Sequence, residues 1–237
     1  MRRRLAASIA AVACCAAGSA GADLQGWRPA GVHGPYADEV LSRPTDAELL
    51  AAWPAAAAAR KLPGDAIAAC KAHLDGEISD CRVMVQRPAK AGFGEALLSL
   101  APKYRLKPAT GARPALADVL ISASWPVPDT PPDWRVEPKP GDFATSGNKA
   151  FLHRDGPSSA YMHCLLGKLG TFYQCVVVYQ DPPGIGLGQM LLRFATYLKF
   201  KPAMLNGEPL PVGVTFGFNF YKAKSIDAPS PEETKAH

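Results

Sequence analysis

The sequence predicts an α+β protein made of two similar small domains, each a three-stranded antiparallel sheet with one helix packed on it. Three observations carry this. Residues 70–108 align with residues 164–202 at a constant shift of 94 and no gap, with 13 of 39 positions identical: Cys70, Gly76, Cys81, Val83, Gln86, Pro88, Gly92, Gly94, Leu97, Leu98, Ala101, Lys107 and Pro108, each with its partner. Both windows begin with two cysteines flanking a glycine, "CKAHLDGEISDC" and "CLLGKLGTFYQC". Along each window the hydrophobic period changes in the order strand, strand, helix, strand.

Taken in order, "TDAELLAAWPAAAAARKL" predicts a helix that Thr45 and Glu48 cap as a box and Pro54 interrupts. "AIAACKAHL" and "EISDCRVMVQ" then read as a hairpin around a two-residue Asp75-Gly76 turn. In that register Cys70 opposes Cys81, and Cys164 opposes Cys175 in the second copy, so each pair is expected to staple one hairpin. A strict two-residue turn would put both pairs at hydrogen-bonded positions, which a longer turn would avoid. "GFGEALLSLAPKY" and "GLGQMLLRFATYL" place Leu97, Leu98, Ala101 and Leu191, Leu192, Ala195 at helical spacing, with Lys107-Pro108 and Lys201-Pro202 as stops. "ADVLISASW" and "PVGVTFGFNFY" close the copies as strands. In the latter, Val212, Val214, Phe216, Phe218 and Phe220 form an apolar face, with Gly213, Thr215, Gly217 and Asn219 opposite.

The expected organisation is a signal peptide (1–22), an N-terminal extension (23–44), a first domain (45–125), a Pro-rich linker (126–146), a second domain (147–222) and a disordered tail (223–237). "MRRR", the alanine-rich apolar run and "AGA" (Ala20–Ala22) read as an export signal cleaved after Ala22. An uncleaved anchor and a signal lipidated at Cys14 are the alternatives, although the run is short for a spanning helix. Cleavage removes three arginines and lowers the formal charge from +5 to +2. That is too little for a nucleic-acid binder. The four remaining cysteines, in an exported chain, read as two disulfides.

"WPAAAAARKLPGDAIAACKAHLDGEISDCRVMVQRPAKAGFGEALLSLAPKYRLKP" resembles the C-terminal domain of TonB-type proteins. The resemblance rests on the aromatic-Pro start at Trp53-Pro54, the strand pair around Gly76, the following helix, the basic-Pro stop and the long last strand. The second copy matches from the hairpin onward, including an Asn206-Gly207-x-Pro209 turn, and lacks the aromatic-Pro start. The cysteine pairs resemble a subgroup of these domains. The resemblance implies a periplasmic, non-catalytic binding module associated with transmembrane transport. It would take extended segments of outer-membrane receptors by strand addition at the last strand, here Gly213, Val214, Thr215, Phe216, Gly217, Phe218 and Asn219. No convincing anchor or long spacer precedes the first copy, so a role in pulling is not implied. An envelope scaffold or cell-wall binder without a transport role is the alternative reading, and a homodimer by strand exchange stays open.

Chemical motifs are sparse. The glycines of "DPPGIGLGQMLL" follow a strand, but no parallel βαβ pattern surrounds them. "SGNK" (Ser146–Lys149) and "HRD" (His153–Asp155) lack the companion motifs of acyl-transfer enzymes and kinases. His163 beside Cys164 could suggest a metal, but the cysteine spacing fits hairpin pairing better. His33, His73 and His237 have no neighbours in sequence that point to catalysis. No cofactor, metal or catalytic residue is expected.

Overall fold

Two hairpins with the same irregularities organise the molecule. The computed structural model describes residues 27–110, 113–136 and 158–220. The segments read as signal peptide and tail, with Cys14, Ser146–Lys149 and His153–Asp155, lie outside the described residues. The first unit runs β1 (Ala30–His33), β2 (Val40–Ser42), α1 (Asp46–Ala51), α2 (Ala55–Ala59), β3 (Gly64–His73), β4 (Ile78–Arg87), α3 (Phe93–Leu100), β5 (Arg105–Leu106) and β6 (Leu116–Trp125). The second follows as β7 (Asp133–Val136), β8 (Ser158–Leu166), β9 (Phe172–Asp181), α4 (Leu187–Ala195), β10 (Lys199–Lys201), β11 (Ala203–Leu205), β12 (Glu208–Leu210) and β13 (Val212–Phe220). The pairings are antiparallel and helices are few, so the class is α+β as expected.

The main sheets have strand orders β1-β6-β3-β4 and β13-β8-β9. The first therefore has four strands where three were expected. The fourth is β1, from the N-terminal extension, which pairs with β6 from Ala30↔Ala123 to His33↔Leu120. The Pro-rich stretch after Trp125 is also built in up to Val136. β7 pairs with β10, Thr130 bridges to Met204, and Asp129 Oδ2 accepts from Asn206 N at 2.7 Å at the tip of the β11–β12 hairpin. That tip is the Asn206-Gly207 turn expected from sequence, with φ of 52° and 79°.

Both disulfides form, Cys70–Cys81 and Cys164–Cys175, with Cα atoms 4.0 Å apart in each. The turns are longer than the two residues expected. His73 N donates to Glu77 O (2.8 Å) and Gly76 N to His73 O (3.0 Å), leaving Leu74, Asp75 and Gly76 in the loop. A bulge at Asp80, with φ 50°, then brings Cys81 back opposite Cys70. The second hairpin repeats this, with Gly167 N donating to Thr171 O and a bulge at Gln174, also at φ 50°. These bulges sit on β4 and β9, the outer strands, where a local kink also discourages edge pairing.

Of the helices, α3 and α4 are placed by residues common to both copies and α1 is not. α1 has the expected capping box, with Thr45 Oγ1 accepting from Glu48 N and Thr45 N donating to Glu48 Oε2. α3 and α4 start after Gly92 and Gly186 in the left-handed region. Gln86 Oε1 accepts from Gly94 N (3.0 Å) and Gln180 Oε1 from Gly188 N (2.8 Å), pinning each helix start to its own sheet. The Lys-Pro pairs do not stop the helices. Each helix ends earlier and a short strand follows, because Leu106 N donates to Gly76 O and Phe200 N to Gly170 O, both at 2.9 Å. A Cβ on Gly76 or Gly170 would lie 1.9 or 1.8 Å from the carbonyl oxygen of Leu106 or Phe200.

One face of each sheet buries its helix and disulfide. Phe93, Leu97, Tyr104, Ile121 and Trp125 fill the first core, and Trp125 Nε1 donates to Leu49 O at 2.7 Å. Leu187, Leu191, Phe194, Phe200 and Val214 fill the second. The opposite faces pack on each other through Ile67 and Leu120 from one sheet and Tyr161 and Val178 from the other. Ile67 and Tyr161 are equivalent positions of the repeat, whereas Leu120 and Val178 are not.

Gly76→Ala and Gly170→Ala should each lose about 2–4 kcal/mol, because the added methyl meets fixed backbone at a positive φ. Gly207→Ala, at φ 79° with open space around it, should lose about 1 kcal/mol. Urea denaturation of the three variants would check the difference, and equal losses would contradict the close approach.

Candidate functional site

The last strand was expected to offer its backbone edge. β13 pairs with β8 along its whole length, from Val212↔Leu166 to Phe220↔Ser158, and among the described residues no other strand joins it. In an antiparallel pair, alternate residues turn both backbone groups toward the partner and the others turn both away. Gly213 turns away: its N donates to Ser124 Oγ (3.1 Å), and its O accepts from Trp27 Nε1 (3.2 Å) and Ser124 Oγ (3.3 Å). Gly213 is therefore occupied from within the molecule. By parity Thr215, Gly217 and Asn219 also face outward. Val214 and Phe216 face β8 with their backbones and the core with their side chains.

The first copy shows what this edge can hold. Ala69 faces Leu120 and Ile67 faces Ser122, while the equivalent His163 and Tyr161 face Thr215 and Gly217. The outer edge of β6 at Leu120–Ala123 thus corresponds to Thr215–Phe218. In the first copy that edge is covered by β1, and Ser124 N donates to Pro29 O at 2.8 Å. The same N-terminal segment reaches the second copy through Trp27. It fills one edge and caps the start of the other.

Between the sheets lies a buried polar cluster that sequence reasoning missed. Asp65, at the start of β3, is 0% exposed, and His163 on β8 is 1% exposed. Asp65 Oδ2 accepts from His163 Nε2 at 2.5 Å, and His163 Nδ1 lies 2.7 Å from Thr215 Oγ1. Arg87 Nη2 donates to His163 O at 3.2 Å, while Arg87 Nη1 stands 3.9 Å from Asp65 Oδ2, too far for a hydrogen bond. Burial pulls the Arg87 guanidinium below its ordinary value, and Asp65 opposes this. Nearby, His33 Nε2 meets Ser122 Oγ at 2.8 Å. Burial, then the charges of His163 and Arg43, hold the His33 imidazole down at about 3. The equivalents of Asp65 and His163 in the other copy are Ser159 and Ala69, so nothing in the repeat marks this pair.

A hydroxyl, an imidazole and a carboxylate in line invite comparison with a nucleophilic triad. Here the imidazole has both nitrogens on fixed partners. A substrate could not reach it without parting the sheets. The cluster holds the two copies together instead, and Gly213 fits because a Cβ there would lie 2.7 Å from Asp65 Cβ. Among the described residues no group of three His, Cys, Asp or Glu side chains could hold a metal ion, and no helix is long and apolar enough to cross a membrane. The two disulfides suggest an oxidising compartment such as the periplasm. No protein-family model matches this sequence, and no curated protein is significantly similar to it.

His163→Ala leaves the Asp65 charge buried and should cost about 3–5 kcal/mol. The double variant with Asp65→Ala should cost less than the sum of the two single changes, and strict additivity in denaturant titrations would contradict the coupling. His33 is held neutral when folded, so its contribution is complete above its ordinary value of 6.5 and is lost as pH falls from there toward 3. The limit is about 1.4 kcal/mol per pH unit, and the part-exposed ring should fall short of it. His33→Gln should flatten the stability profile between those values, and an unchanged slope would contradict the assignment.

Proposed function

We propose that the chain is an exported, non-catalytic binding protein of two TonB C-terminal-like units. It takes an extended partner segment, such as one from an outer-membrane receptor, on the outer edge of β13 in association with TonB-type transport. The observation that carries this is β1 on β6. The chain's own N-terminal segment already performs strand addition at the corresponding edge of the first copy. Among the described residues only the second copy has that edge joined by no further strand, from Thr215 onward. The motif order, the duplication and the two stapled hairpins support the family part of the reading. The disulfides support the compartment.

Extended receptor peptides should bind with an affinity that falls when alternate peptide nitrogens are methylated in one phase and holds when they are methylated in the other, because only one set faces the strand. Calorimetric titration would read this. No binding by any receptor segment would remove the transport reading and favour an envelope scaffold. Binding indifferent to methylation phase would remove strand addition.

A further inference from the structure

Asp65 and Arg87 are paired neighbours on β3 and β4, and both line a cleft of about 330 Å³ between the two copies. Leu165, Tyr173, Pro88 and Pro211 form its apolar walls. Each of the two residues carries one buried polar atom with no partner in the protein, Asp65 Oδ1 and Arg87 Nη1. The Asp65 side chain is fully buried and that of Arg87 is 12% exposed. One atom is an acceptor and the other a donor, on groups of opposite charge that approach to 3.9 Å, from Arg87 Nη1 to Asp65 Oδ2.

We propose that this cleft binds the carboxamide of an asparagine or glutamine side chain in a peptide, its N–H donating to Asp65 Oδ1 and its carbonyl accepting from Arg87 Nη1. The choice follows from charge. A carboxylate would satisfy Arg87 but face Asp65 with a like charge. An ammonium would satisfy Asp65 but face Arg87. A carboxamide carries a donor and an acceptor in one plane with no net charge, and so meets both atoms at once. Leucine and proline walls suit the apolar stem beside it. Tyr173, 41% exposed at the rim, can cover the peptide on the solvent side. The site is separate from the outer edge of β13 and does not depend on strand addition there.

The test uses the full chain, isotopically labelled for amide NMR, titrated with N-acetyl-prolyl-glutamine methylamide and with its glutamate counterpart. Saturable shifts at Asp65, Arg87 and Tyr173 are expected for the glutamine probe, with binding at least about tenfold weaker for glutamate. Arg87→Gln should weaken the glutamine probe by a similar factor while the disulfides and the unfolding transition persist. Should that variant fail to fold, Tyr173→Ala decides, with an expected loss of several-fold. Equal binding of the two probes, or no saturable shift with only water bridging the two atoms in a crystal, would overturn the proposal. Unchanged affinity in the variant used would also overturn it. Shifts confined to Thr215, Gly217 and Asn219 would overturn it too, while leaving the edge-strand reading intact.

Discussion

A carboxylate without solvent exposure sits between the two sheets, and much of the molecule answers to it. Burying Asp65 costs several kcal/mol unless its charge is met. His163 and Arg87 meet it from the strands on either side, and Thr215 then fixes the far side of the imidazole. The geometry works only if β13 comes close, and Gly213 allows this by having no side chain. Ser124 and Trp27 hold the approach from the first copy and from the N-terminal segment. The apolar contact of Ile67, Leu120, Tyr161 and Val178 supplies the non-directional attraction. The polar cluster sets the register, because a shifted packing would strand the charge.

The residues shared by the two copies and those that differ do different work. Gly76, Cys81, Gln86, Gly92 and Gly94 each have a defined task inside one unit, and their partners repeat it. This made the hairpins, helices and disulfides legible in the sequence, since a twice-written residue constrains its own local geometry. Asp65, Arg87 and His163 join one unit to the other and have no counterparts. The Asp65–His163 pair spans 98 residues, so no local pattern could reveal it. β1 escaped for another reason. Four residues, Ala-Gly-Val-His, carry no readable alternation, and they are a strand only because β6 offers an edge. The turns are longer than Asp75-Gly76, which suits a two-residue turn locally, would suggest. The carbonyls of Gly76 and Gly170, bonded to the chain after the helix, demand the larger loop.

The duplication is thus exact enough to fold two like units and inexact where function can enter. One copy has its last strand covered from Leu120 to Ala123 by residues 30–33. The other has its last strand capped at Gly213 and facing outward beyond it. Among the described residues, the edge filled in cis in one copy is joined by no further strand in the other.

Site-resolved amide hydrogen exchange of the protein alone tests that asymmetry most directly. The account predicts slow exchange at Leu120, Ser122, Ser124 and Gly213, whose outward groups are occupied, and fast exchange at Thr215 and Gly217, which belong to the same sheet design but face outward unpaired by any other described strand. Equal protection at Thr215, Gly217 and Ser122 would mean that the β13 edge is already filled, and the proposed binding face would not exist.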